Sequence, residues 1–200
     1  MGEQVRTGKQ RSYRKVKRAD AEQQTRARII DAAESLHASV GPAHASISAI
    51  ADRAGVTRAT VYRHFPDDES LFLACSGQWL ARQTLPDPEA WSAVADPAAR
   101  LRAGLADLYR YYREGHDMLA NIERDASVVP DRVRGARLAR EQLWRETLLR
   151  GLPGQRRTTV RAAVAHATAF GTWRSLCLEH GLPEHAAVGL MAGMVDAAGA

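Results

Sequence analysis

The stretch SISAIADRAGVTRATVYRHFPDDESLF, Ser46 to Phe72, reads as two short helices joined by a tight turn, with a third helix behind them. Ile47, Ile50 and Ala51 recur at helical spacing, and Ala54 continues the same apolar face. Gly55 supplies the left-handed position that ends a helix. Ser46 and Thr57 stand where N-caps satisfy the first free amides of the second helix and of the third, Arg58 to His64. Val61 and Phe65 give the third helix an inward face, and Arg58, Thr60, Tyr62, Arg63 and His64 an outward one. A short helix rich in hydrogen-bond donors after a glycine turn is the layout of a helix-turn-helix, whose second helix enters a DNA major groove.

Outward from this stretch the chain stays helical. Before it, Ile29, Ala33, Leu36 and Val40 share one face of a helix over 26–40, which Gly41 and Pro42 stop. After it, a fourth helix over 68–80 turns Leu71, Phe72, Cys75 and Trp79 inward, and LPDPEAW at 85–91 breaks helicity as a linker. Leu101, Leu105, Leu108 and Tyr112 form a stripe ending at Gly115, and Met118, Leu119 and Ile122 make a short element. Pro130 and Asp131 open a helix carrying Leu138, Leu143, Trp144 and Leu148, which stops near Gly151 to Gly154. A long helix over 157–179 is apolar or small on most sides, so it must be covered on more than one face. Its antiparallel partner over 184–198 carries Ala187, Leu190, Met191, Met194 and Val195 on one side. No alternating β-branched run occurs, so the fold class is all-α: a three-helix helix-turn-helix domain followed by a larger helical domain.

Two hundred residues with 45% hydrophobic content make one or two compact domains. No apolar run approaches the roughly 20 residues of a membrane span. The basic N-terminus lacks the apolar core of a secretory signal. Cys75 and Cys177 lie far apart without metal-ligand spacing, which suits reduced, buried thiols and leaves a thiol sensor as the other reading. The net charge of +5 is uneven. Residues 1–28 hold nine basic side chains against three acidic ones, so the remaining 172 residues sum to −1, and the block 29–75 carries −3. Nonspecific DNA affinity comes chiefly from phosphate neutralisation, and most of that charge resides in the tail. Residues 1–22 have few large apolar side chains beyond Val5, Tyr13 and Val16, which predicts a disordered basic arm, either a solvated extension or a DNA arm. The expected division is 1–22 arm, 23–67 helix-turn-helix domain, and 68–200 larger helical domain with 68–80 as its linking helix.

The run IADRAGVTRATVYRHFPDDESLF, with its IA pair at Ile50 and Ala51, AGV turn at Ala54 to Val56, VYRHF block at Val61 to Phe65 and LF pair at Leu71 and Phe72, resembles the N-terminal domain of the tetracycline-repressor (TetR) family. With the preceding helix, the likeness covers about residues 26–75. One departure stands out: where the family usually has a phosphate-contacting lysine, this chain has Asp68, a residue suited to capping the fourth helix.

The resemblance implies a cytoplasmic homodimeric regulator, a repressor released from a pseudo-palindromic operator by a small ligand. Its partners would be double-stranded DNA, an unknown effector and a second copy packed through the last two helices. On the DNA side Arg58 is expected to read a base, since Arg pairs bidentately with guanine. Thr60 meets a thymine methyl or a phosphate. Thr57, Tyr62 and His64 position phosphates, with helix amides beside them, as do Ser46 and Ser48 at the second helix start, and Arg63 is a further DNA-facing residue. The family also implies a cavity among the middle helices of the second domain. Tyr109, Tyr112, His116, Asn121, Trp144, His166, Phe170 and Trp173 are candidates for its lining, although each alone also suits a core position. No Gly-rich phosphate loop, HExxH or GxSxG is present, so no enzyme is expected, and no metal or cofactor is implied. The competing reading is a dimeric DNA-binding regulator without a small ligand, its C-terminal half serving dimerisation or protein contacts.

Overall fold

The computed structural model describes the backbone of residues 3–200 and the side chains from Lys15 onward. Among the described residues there are eleven α-helices and no strand, in two compact units, 1–79 and 80–200.

In the first unit α1 (Glu3–Ser39) is followed by a 3-10 turn (Pro42–His44), α2 (Ile47–Ala54), α3 (Arg58–His64) and α4 (Asp68–Arg82). Its core joins Ile29, Ile30 and Ala33 of α1 to Ile50, Ala51 and Ala54 of α2, Val61 of α3, Phe65, and Leu71 and Cys75 of α4. Val40, expected on the α1 core face, is 42% exposed, because α1 ends one residue before it. The linking helix, expected with the second domain, is grouped with the first as far as Trp79. Its contacts explain this. Gln78 donates to Asp31 at 2.8 Å and to Glu34 at 2.8 Å, and the rings of His37 and Phe72 lie 4.7 Å apart. Over 1–22, where the sequence suggests a disordered arm, α1 runs back to Glu3. The side chains of residues 15–24 are all exposed. No tertiary packing holds this stretch; the packed part of α1 propagates through good helix formers such as Lys, Arg, Ala, Gln and Glu. The arm's basic side chains Arg6, Lys9, Arg11 and Arg14 lie outside the described residues.

The second unit contains α5 (Pro88–Ser92), α6 (Pro97–Glu114), α7 (His116–Arg124), α8 (Asp131–Leu149), α9 (Thr158–Ala167), α10 (Phe170–Trp173), which runs on into a π-helical turn (Arg174–Glu179), and α11 (Glu184–Gly199). Fully buried Leu101, Leu105 and Leu108 place α6 at the centre, where it meets α5, α8, α10 and α11. Gly104 lets α8 approach, since a Cβ there would lie 2.4 Å from Leu148 Cδ2. The stretch 85–91 is not a plain linker. Asp87 caps α5, and buried Trp91 donates its indole N–H to Asp107 Oδ2 at 3.0 Å. The expected single helix over 157–179 is also corrected: it breaks after Ala167, where Ala169 turns extended (ψ 138°). Two distant hydroxyls stabilise the break. Tyr109 donates to the carbonyl of Ala167 at 2.9 Å, and Tyr112 to that of Thr168 at 2.6 Å. Carbonyls that a continuing helix would pair with later amides are thereby satisfied from α6.

Candidate functional site

The helix-turn-helix is assembled by local chemistry. Gly55 adopts φ 65°, and its amide donates to the carbonyls of Ala51 and Asp52, closing α2. Ser46 Oγ accepts the amide of Ala49 at 3.2 Å, and Thr57 Oγ1 that of Thr60 at 3.2 Å. The two caps fix the starts of α2 and α3, so the rotation of α3 about its axis is set by its core residue Val61, which has no exposure. Phe65 is buried just past the helix, under the guanidinium of Arg26 at 4.8 Å from the ring centre.

That anchoring leaves the opposite side of α3 free. Arg58, Tyr62 and Arg63 are exposed, and Thr60 and His64 are half-buried. Thr57, Ser46 and Ser48 are exposed beside them. All eight proposed DNA-facing residues therefore have some solvent exposure. Thr57 and Thr60 also bond to each other, Oγ1 to Oγ1 at 3.0 Å, which holds both hydroxyls at the start of α3. Tyr62, 42% exposed, presents its ring as well as its hydroxyl. At the start of α4 the expected cap moves by one residue. Asp67 Oδ1, not Asp68, accepts the amide of Ser70 at 2.7 Å. Asp68 occupies the first helical turn, exposed, where a carboxylate favours the helix dipole.

Behind this surface lies a buried polar pair. Cys75 Sγ and His37 Nδ1 are 3.4 Å apart. Burial lowers the His37 pKa from 6.5 to about 4. Burial, reinforced by the charge of Glu34, pushes the Cys75 thiol up to about 12, so it stays protonated and unreactive at neutral pH.

The second unit holds a partly open cavity of about 130 Å³ between α6, α7, α8 and the α9–α10 break. Of the eight candidates, Tyr112, Trp144 and Phe170 line it. Phe170 meets Tyr112 edge-on, ring centres 5.5 Å apart, and Trp144 meets Tyr111 in the same way at 5.9 Å. Tyr109 and Trp173 are core residues at 0% and 1% exposure. His116 contacts Asp117 through Nδ1 at 2.9 Å, and Asn121 is half-buried on α7; neither reaches the lining. His166 is exposed, its Nδ1 3.4 Å from Thr172 Oγ1. Burial raises the Tyr109 and Tyr112 hydroxyls above the usual phenol range, so both remain hydrogen-bond donors.

The lining also brings in residues that the sequence reading left out: Arg137, Arg140, Glu141 and Arg145 of α8, with Glu123 of α7. With Trp144 they recur at spacings of three, four, seven and eight along α8, one face of a helix. That periodicity was available, but a charged stripe ordinarily marks a solvated face. A broader, polar depression of about 340 Å³ between Glu146 and Arg161 contains none of the candidates. No described helix is long and apolar enough to cross a membrane.

Comparison with known proteins bears on the first unit most directly. Residues 29–75 match the family model described as bacterial regulatory proteins, tetR family. No curated protein matches the chain. Among solved structures, a transcriptional regulator from Rhodococcus sp. Rha1 aligns at 22% identity with a TM-score of 0.58, covering 85% of this chain and 95% of that one. A TetR transcriptional regulator from Rhodococcus sp. RHA1 aligns at 22% identity with a TM-score of 0.48, over 88% of this chain and 97% of its own. The first likeness establishes a shared fold.

Proposed function

Through residues 29–75 the chain belongs to the bacterial regulatory proteins of the tetR family, and from that premise we propose that this DNA-binding transcriptional regulator is a cytoplasmic homodimeric repressor, released from a pseudo-palindromic operator by a small molecule. The observation that carries the reading is α3. Val61 and Phe65 are buried, Arg58, Tyr62 and Arg63 are exposed, and both ends of the α2–α3 turn are fixed by Gly55 and Thr57. Such a helix enters a major groove with its N-terminal residues at the base edges. Arg58 reads a guanine; Thr57, Tyr62 and His64 hold phosphates; Ser46 and Ser48 do so from the start of α2.

Dimerisation uses the last two helical segments. α11 buries Ala187, Met191 and Val195 within its own unit and leaves Leu190 52% exposed, and Leu178 of the preceding turn is 50% exposed. An apolar side turned outward in this way suits a second copy. The ligand acts by preferring the subunit spacing in which the recognition helices miss their grooves. α4 carries the signal, since the boundary between the units, at 79/80, falls within it.

A second reading, a dimeric regulator without a small ligand, draws support from the cavity: about 130 Å³ is below the roughly 300–1,000 Å³ of a drug-sized site. Operator selection from random duplexes, followed by titration of Arg58→Ala on single-base variants, tests the DNA-binding assignment. The substitution is expected to cost about 1–3 kcal/mol and to relax preference at one base position. A uniform loss across all operator variants overturns the base-reading role.

A further inference from the structure

The cavity of the second unit carries an unusual charge pattern. Three arginines and two glutamates line it beside Tyr111, Tyr112, Trp144 and Phe170. Both glutamates already have cationic partners. Glu141 Oε1 stands 3.4 Å from Arg137 Nε, close enough for an ion pair but misaligned for a hydrogen bond, and Glu123 Oε2 lies 3.8 Å from Arg174, outside the lining. Arg140 and Arg145 have no carboxylate partner among the described residues. Arg140 instead lies 5.7 Å from the centre of the Trp144 ring. The Nε atoms of Arg137 and Arg140 are buried without a hydrogen-bond acceptor. Burying such donors unsatisfied is costly.

From this arrangement we infer that the cavity is a site for a small aromatic carboxylate, its carboxylate on Arg140 and Arg145 and its ring among Tyr112, Trp144 and Phe170. Guanidinium groups match carboxylates through planar paired N–H donors, and a single cation without a partner favours an anion over a neutral group of the same shape. The aromatic wall suits a flat ring, which packs edge-on or offset against such side chains. Size limits the ligand further. A cavity of about 130 Å³ is close to the ~150 Å³ that accommodates one benzene. One ring is therefore the most the cavity holds, its carboxylate reaching out toward the arginines of α8, and a multi-ring compound does not fit. This assignment names the ligand class of the ligand-responsive reading and rests on it.

The test titrates the full-length protein with benzoate and with benzamide, its neutral counterpart of nearly the same shape, by calorimetry and tryptophan fluorescence. Benzoate is expected to bind at least about tenfold more tightly, the scale of one charge-assisted hydrogen bond. Arg140→Gln combined with Arg145→Gln should abolish that preference, benzoate weakening by more than benzamide, and an unchanged unfolding midpoint reports that the variant is folded. Arg145→Gln alone serves as the milder variant and should reduce the preference. Equal or tighter benzamide binding, binding of neither compound, or a preference that survives both substitutions overturns the assignment. Operator release, measured in parallel, separates the two ideas. Benzoate binding without release keeps the ligand class and overturns the release mechanism. Release by a neutral compound to which benzoate is no competitor does the reverse.

Discussion

The two units close their helix ends in different ways. In the first, each cap described at the reading surface is made within three residues: Ser46 to Ala49, Thr57 to Thr60 and Asp67 to Ser70. In the second, important ends are satisfied from far along the chain. Tyr109 and Tyr112 reach 58 and 56 residues ahead to the end of α9, and Arg100 donates to the carbonyl of Arg150, fifty residues on. Local caps make a surface whose geometry tolerates change elsewhere, which suits a rigid reading head. Long-range caps tie the shape of a cavity wall to the position of another helix, which suits an element that responds to a ligand.

The largest effect should expose the exception in the first unit, the buried contact between His37 of α1 and Cys75 of α4. The folded-state pKa of His37 is lowered, to about 4 against an ordinary 6.5. Between those values the unfolded chain binds the proton and the folded protein does not. The contribution is therefore whole above pH about 6.5 and is lost as pH falls toward about 4. The slope approaches about 1.4 kcal/mol per pH unit, on the order of 3 kcal/mol across the window. Denaturant unfolding of the native protein and His37→Leu at pH 7 and pH 5 checks this, because the acid loss in the first unit should shrink in the variant. An equal loss in both would assign the acid sensitivity elsewhere.

Next in size is Tyr112→Phe, which leaves the carbonyl of Thr168 without its donor while keeping the ring against Phe170 and Trp173. It should cost about 1–3 kcal/mol in unfolding. Hydrogen exchange should then quicken in α9 and α10 but not in α2 and α3. Protection unchanged around residue 168 would break the contrast between the units.

The smallest effect belongs to the local caps. Thr57→Ala should destabilise the first unit by about 1 kcal/mol, confined to the start of α3. Operator affinity should fall as well, since the threonine also faces DNA in the proposed complex. Melting measured in the second unit should not move; a coupled shift there would show that local capping is not insulated.

These differences in range explain what could be read in advance. The boundaries of α3 and the Gly55 turn follow from residues within a few positions of each other. The cap at the start of α4 was misplaced by a single position, because neighbouring aspartates offer the same side chain and only backbone geometry selects Asp67. The second unit yielded its helices but not their interruptions. Thr168, Gly171 and Thr172 weaken the helix locally but do not place the break, and the hydroxyls that stabilise it come from α6. Three of the eight nominated lining residues reach the cavity, since an aromatic on a helix does not announce whether it faces a void or a packed neighbour.

Apolar periodicity and capping residues were therefore enough, by themselves, to determine an all-α chain, the order of its main helices and the face of α3 that meets solvent. Those features depend on contacts within one or two turns, which residue type controls directly. Tertiary structure alone decided where α9 breaks, which side chains surround the cavity, and that its arginines outnumber their acidic partners. Those outcomes depend on residues fifty or more positions apart, or on what a helix does not touch, and neither is encoded in any local pattern.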